Sequence, residues 1–168
     1  MSDHRASTSP TGAAIRVRLY HPDDRDFVLS LTPRLTIGMA PWRDPEKMHD
    51  AMRGFTMESI AGSSEEAGSN NVVFIAEDER GVPLGFISTA HNVNFTGEIQ
   101  AYIGELAVSA EAEGRGAGRA LISAAEEWAL VHNYSIIVLE TGAANDRARA
   151  FYQRLGYQEE SVKLVKVL

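Results

Sequence analysis

The chain has 168 residues, 44% hydrophobic and 23% charged, with a net charge of −7 and no cysteine. That length suits one domain with a sizeable core, and the missing cysteine excludes a disulfide framework, a Cys-ligated zinc and a cysteine acyl-enzyme. The acidic balance argues against nucleic acid as a partner and fits a cationic small substrate as well as plain solubility, while no apolar run approaches the roughly 20 residues of a membrane span.

Residues 1–13 lack the apolar stretch of a secretory leader and read as a disordered tail, so a cytoplasmic location is expected. Residues 14–168 read as one domain. IRVRLY (Ile15 to Tyr20) alternates like a half-buried strand. HPDDRDFVLSLTP follows as a short helix, with Pro22 and acidic residues at its start and Pro33 at its end. RLTIGMAPW reads as irregular. Asp44 and Pro45 then open a second helix, with Met48, Met52 and Phe55 as its apolar stripe. AGSSEEAGSNN is a polar loop. VVFIAED and PLGFISTAHNV form an expected hairpin across ERGV, and QAYIGELAV is a third strand of the group.

A long helix is expected from about Gly116 to His132, with Ala117, Leu121, Ala124, Trp128 and Val131 on its core face. SIIVLE has the wholly apolar composition of a strand buried within a sheet. A last helix follows Asn145, with Ala148, Phe151, Tyr152 and Leu155 on one face and Gly156 ending it. SVKLVKVL is expected to close the chain as a strand. The element order gives an α/β fold, a mixed central sheet flanked by about four helices.

The stretch AEAEGRGAGRAL places Gly114, Gly116 and Gly118 at the start of the long helix. Glycines at a helix N-terminus let a phosphate reach unpaired amides, and Arg115 and Arg119 add positive charge. A flexible turn with close helix packing would use the same residues. Two nucleotide patterns fail here. The dinucleotide fingerprint G-x-G-x-x-G started at Gly114 ends on Arg119, with no acidic ribose-binding residue in place, and no G-K-[ST] follows for a P-loop. The five histidines show no metal-ligand spacing, and no metal is expected.

GELAVSAEAEGRGAGRAL resembles the acetyl-CoA-binding segment of the GNAT superfamily of N-acetyltransferases, whose pattern Q/R-x-x-G-x-G/A falls on Glu113, Gly116 and Gly118. A second segment, NDRARAFYQRLGY, is similar to the superfamily's N-x-x-A-x-x-x-Y-x-x-x-G-[FY]. The resemblance spans Val72 to Tyr157. It implies a single-domain GNAT fold and acetyl transfer from acetyl-CoA to an amine by direct attack in a ternary complex. It further implies that backbone amides from Glu113 through Gly114, Arg115, Gly116, Ala117, Gly118 and Arg119 cradle the pyrophosphate. Leu106, Ala107 and Val108, on a strand that splays from its neighbour after a bulge, would pair with the pantetheine arm. Asn145 would bond that arm, and serves equally as a plain N-cap. Glu113 departs from the pattern, so its carboxylate must point away from the phosphates.

Tyr152 matches the superfamily's general acid for the leaving thiolate, and also fits as a core aromatic. Glu105 is placed to act as base or to hold the acceptor's ammonium group; a surface-paired strand carboxylate is the alternative. Glu98, Tyr102 and His91 are lesser candidates. Trp42, Met39 and Met48 would line the acceptor pocket, or simply fill core. The acceptor expected is a small cationic amine, polyamine or aminoglycoside-like, or a peptide amine. The contrasting possibility is a non-catalytic acyl-CoA-binding regulatory module. Relatives are often dimers, so a homodimer joined through the C-terminal strand is a possible assembly.

Overall fold

The computed structural model describes residues 14–63 and 70–168; the tail expected at residues 1–13 and most of the polar loop lie outside the described residues. The strands are β1 (Arg16–Leu19), β2 (Asn71–Glu77), β3 (Pro83–Val93), β4 (Ile99–Val108) and β5 (Ile137–Leu139). The helices are α1 (Arg25–Ser30), α2 (Pro45–Gly62), α3 (Ala117–Val131) and α4 (Asp146–Arg154), with 3-10 turns at Pro22–Asp24, Thr32–Thr36 and Ala110–Ala112. The sheet runs β1-β2-β3-β4-β5; all pairs are antiparallel except β4 with β5. Short hairpin connections join β2 to β3 and β3 to β4, β1 reaches β2 by way of α1 and α2, and the crossover through α3 makes the last pair parallel.

The helices start where their caps say they should. Asp44 Oδ1 accepts the backbone N–H groups of Glu46 and Lys47, with Pro45 at the first position of α2. Asn145 Oδ1 accepts the Ala148 N–H at 3.1 Å and opens α4, and Gly156 at φ +95° follows its end.

Two apolar layers sandwich the sheet. Leu121, Ile122 and Ala125 of α3 pack on Ala76, Ile87 and Ile103, with Phe151, Tyr152 and Leu155 at the margin. On the other face Val28, Leu31 and Ile60 pack on Val73, Ile75, Phe86 and Ala107. The first strand is fixed by charge as well. Arg18 donates to Asp24 at 2.6 and 2.8 Å and to the buried Glu77 at 2.6 Å, so neither carboxylate is buried without a partner.

Four expectations need correction. The stripe of α2 is not Met48–Met52–Phe55: the buried residues are Thr56 and Ile60, and Phe55 is exposed. A threonine enters that core because its hydroxyl donates to the Met52 carbonyl at 2.8 Å, which removes the cost of burying it. On α3, Val131 is exposed, and Ile122, Ala125 and Ala129 share the core face with Ala117, Leu121 and Trp128. The stretch SIIVLE yields only the three residues of β5, half-buried because β5 is an edge strand. SVKLVKVL forms no strand; residues 158–168 have no regular structure, and Val162, Leu164 and Val167 are exposed. An alternating apolar stretch becomes a strand only beside a free ladder, and this segment pairs with none among the described residues.

Candidate active site

The site is built where β4 leaves β5. The two strands pair at Ala101–Ile137, Tyr102–Val138 and Ile103–Leu139, and no further. On its other side β4 stays with β3, but the register shifts: Thr89 faces Ile103 and Ile87 faces Leu106, so Ser88 stands opposite both Gly104 and Glu105. This is a β-bulge, and it has two effects. It bends β4 away from β5, leaving the edge at Leu106, Ala107 and Val108 unpaired among the described residues. It also changes which face later residues occupy. Ile103 faces α3, whereas Ala107, four residues on, packs with Val28 and Ile60 beneath α1 and α2.

Glu105 follows the bulge and turns to the α2 side. It is only 6% exposed. Its carboxylate accepts the Ser59 hydroxyl of α2 at 2.9 Å and the Ser88 hydroxyl of β3, and its own N–H donates to Ser88 Oγ at 2.9 Å. Burial pushes the carboxyl pKa up, and the two serine hydroxyls pull it partly back. Gly104 leaves room for this contact, because a Cβ there would stand 2.8 Å from Ser88 Oγ and displace the hydroxyl. The alternative of a surface ion pair is therefore set aside for Glu105: it is buried and has no cationic partner among the described residues.

Tyr152 lies on the opposite face of the sheet, half-buried between Phe151 and Tyr157 at ring-centroid distances of 5.3 and 5.8 Å. Burial pushes its pKa up to about 12. Its hydroxyl has no hydrogen-bond partner among the described residues. Tyr152 is thus both a packing aromatic and a protonated hydroxyl.

The glycine-rich stretch joins the 3-10 turn Ala110–Ala112 to α3. Gly114 (φ +74°) and Gly116 (φ +95°) hold left-handed backbone, and Gly116 is the N-cap with no side-chain cap. Among the described residues nothing crowds them: a Cβ on Gly114 would meet no atom within 4 Å, and on Gly116 only Ile15 at 3.7 Å. The N–H groups of Glu113 and Arg115 already donate to the Ala110 and Ala112 carbonyls. Those of Gly114, Gly116, Ala117, Gly118 and Arg119 have no acceptor among the described residues. Free amides around open space, with Arg115 and Arg119 exposed beside them, fit a bound anion such as a pyrophosphate.

The Glu113 carboxylate is held between Arg34 and Arg147. Arg147 and Arg34 hold its pKa below the usual carboxylate range against the pull of desolvation. Asn145 uses both ends of its side chain within the protein, capping α4 and donating from Nδ2 to the Ile37 carbonyl at 3.2 Å. That bond belongs to a close crossing of two loops. A Cβ on Gly38 would stand 2.4 Å from Asn145 Cβ, and one on Gly142 would stand 2.2 Å from the Gly38 carbonyl oxygen.

The lesser candidates separate. Glu98 is held in the β3–β4 turn by Thr96 and Asn94, which lower its pKa. His91 neighbours Tyr134 in an aromatic group with Trp128 and His132. Tyr102 sits on β4 beside β5, where burial raises its pKa. Trp42, 55% exposed, and the half-buried Met39 and Met48 lie around the start of α2. Ser59, Ser88 and Arg34 lie in no motif and Arg147 falls on an unspecified position of the second one, so each meets its partner only through the fold.

The family whose model describes the acetyltransferases (GNAT) matches residues 34–157, well over half of the chain and further toward its N-terminus than the two motifs reach. An uncharacterized N-acetyltransferase of Methanocaldococcus jannaschii is 37% identical over 93 residues, 53% of this chain and 40% of that protein. One of Bacillus subtilis is 33% identical over 92 residues, 54% of this chain and 61% of that protein. Each match therefore spans less than two thirds of the relative's length. Among solved structures, a GCN5-related N-acetyltransferase from Ralstonia eutropha aligns with a TM-score of 0.68 at 19% identity, over 92% of this chain and 99% of that chain. An aminoglycoside N-acetyltransferase solved with CoA aligns at 0.67 and 20% identity, over 95% and 98%. The chain belongs to the GNAT acetyltransferase family.

Proposed function

We propose that this chain is an acetyl-CoA-dependent N-acetyltransferase that acetylates a small cationic amine by direct attack in a ternary complex. The observation that carries this reading is the break between β4 and β5 after Ile103 and Leu139, with a buried carboxylate on one face of β4 and a protonated tyrosine packed against the other. When bound, acetyl-CoA supplies the acetyl group as an activated thioester. The free amides from Gly114 to Arg119 hold its pyrophosphate, and the open edge of Leu106, Ala107 and Val108 pairs with the amides of its pantetheine arm. Asn145 fixes the α4 end of the cleft.

Glu105 takes the proton of the acceptor amine, directly or through a water, with Ser59 and Ser88 holding the carboxylate in place. A carboxyl raised by burial is a better base for this than an exposed one. Tyr152 gives its proton to the departing thiolate. The acceptor enters from the α1–α2 side, past Met39, Trp42 and Met48. A cationic amine suits the net charge of −7, and the fold likeness to an aminoglycoside N-acetyltransferase agrees with it. Free-thiol release from acetyl-CoA, measured against a panel of polyamines, aminoglycosides and peptide amines, tests the reading. Turnover with the cationic small amines is expected; binding of acetyl-CoA without turnover on any amine would make the chain a binding module.

A further inference from the structure

The two oxygens of Glu113 are shared by two arginines from distant parts of the chain. Arg34 Nη2, on the turn Thr32–Thr36, donates to Oε1, and Arg147 Nη1, in the first turn of α4, donates to Oε2. Two positive charges thus meet one negative charge at the entrance of the glycine-rich loop. Arg147 is also poorly placed for a purely structural cation, because the N-terminal turn of a helix favours negative charge. It is exposed, with 71% of its side chain open to solvent. Each guanidinium makes one hydrogen bond, to Glu113, and its other N–H groups have no acceptor among the described residues. A carboxylate gripped by two guanidiniums beside free backbone amides has the donor set of a phosphate site, with the carboxylate in the phosphate's place.

We propose that Arg34 and Arg147 are ligands for the phosphates of acetyl-CoA, and that Glu113 is their placeholder in the free protein, displaced when the phosphates arrive. The inference rests on the reading that the chain binds acetyl-CoA. It explains the departure at Glu113. The positive charge that an arginine would bring within the loop is carried instead by two flanking elements, and an internal anion neutralises it until the ligand binds.

The test is the dissociation constant of acetyl-CoA, 3′-dephospho-CoA and S-acetylpantetheine for the wild type, Arg34→Gln, Arg147→Gln and Glu113→Gln. The arginine variants are expected to weaken acetyl-CoA by about tenfold each, flatten its salt dependence and leave S-acetylpantetheine unchanged, since it carries no phosphate. A loss felt with acetyl-CoA and spared with dephospho-CoA assigns an arginine to the 3′-phosphate; a loss felt with both assigns it to the pyrophosphate. Glu113→Gln should do the opposite, binding acetyl-CoA more tightly while the free protein melts earlier. If Glu113→Gln weakens acetyl-CoA as the arginine variants do, the three residues only fasten the loop and the proposal falls. It falls as well if both arginine variants bind like the wild type. A wild-type chain that binds none of the three compounds refutes the acetyl-CoA reading itself.

Discussion

Ser88 and Glu105 are tied twice across the β3–β4 bulge: the Glu105 N–H donates to Ser88 Oγ, and the Ser88 hydroxyl donates back to the Glu105 carboxylate. The bulge that opens the cleft therefore also positions its carboxylate. Because the hydroxyl bond favours the ionised form, Ser88→Ala should raise the Glu105 pKa beyond the value burial already gives it. If Glu105 is the base, activity rises with pH as it ionises, so the acidic limb of kcat/KM should move to higher pH in Ser88→Ala. Glu105→Gln should lose the limb and about 10²-fold or more in turnover. A Ser88→Ala profile that superimposes on the wild type would remove Glu105 from the mechanism.

The same burial makes Glu105 a liability for the fold. Its folded pKa lies above the unfolded one, so its contribution to stability is full below the unfolded value and is lost as pH rises through the folded value. Glutamine keeps an acceptor for Ser59 and Ser88 without the charge. Glu105→Gln should therefore melt later than the wild type at pH 8, and the gain should vanish near pH 4. Thermal melts at the two pH values decide it; an equal shift at both would mean that the carboxylate is not strained by burial.

Gly118 separates ligand approach from backbone need better than its neighbours do. Gly114 and Gly116 hold positive φ, where any side chain costs about 1–3 kcal/mol, so a substitution there confounds binding with folding. Gly118 is helical, and an added Cβ would meet only Phe151 Cζ at 3.5 Å and Val108 Cγ2 at 3.7 Å, ordinary contacts. Gly118→Ala should stabilise the free protein by up to about 1 kcal/mol. It should also weaken acetyl-CoA binding, since the methyl group stands beside the free amides. Calorimetric titration and a melt of the same sample give both signs; unchanged affinity would mean that these glycines serve the helix turn alone.

The four helices and the β2–β3 hairpin were legible because capping residues, turn residues and apolar periods are local signals, as at Asp44 and Asn145. The core faces were less so. Thr56 is buried because its hydroxyl closes on a helix carbonyl, which an apolar count does not see. Tyr152 and the glycines were expected from motif positions, and Glu105 from its place on the strand that the resemblance has splaying open. Ser59 lies 46 residues from Glu105, and Arg34 lies 79 from Glu113; such pairs are made by the bulge and by helix packing, and leave no spacing to find.

The C-terminal segment kept strand composition without a partner. Val162, Leu164, Val165 and Val167 are exposed, and β5 has no strand beyond it among the described residues. A second copy is the expected partner, its segment completing the open edge. Sedimentation of the full chain should give a dimer, and a chain stopped after Glu160 should give a monomer. A monomeric full chain would end this assembly.

Tyr152→Phe tests the acid. The ring stays between Phe151 and Tyr157, so the melting temperature should move little. Only the hydroxyl is lost, and it has no protein partner among the described residues to leave unsatisfied. If that hydroxyl protonates the departing thiolate, kcat should fall by about 10²-fold, the low end for a positioned acid. The KM for acetyl-CoA should change less, because the proton is given only in the transition state. A donor with a more acidic thiol should narrow the gap, since a better leaving group needs less help. With the pKa pushed up to about 12, Tyr152 stays protonated where a free tyrosine near 10 would not, so wild-type kcat should show no alkaline limb from it below about pH 10. Full kcat in Tyr152→Phe on an acceptor that the wild type turns over would leave Tyr152 as a packing aromatic and the thiolate to take its proton from water.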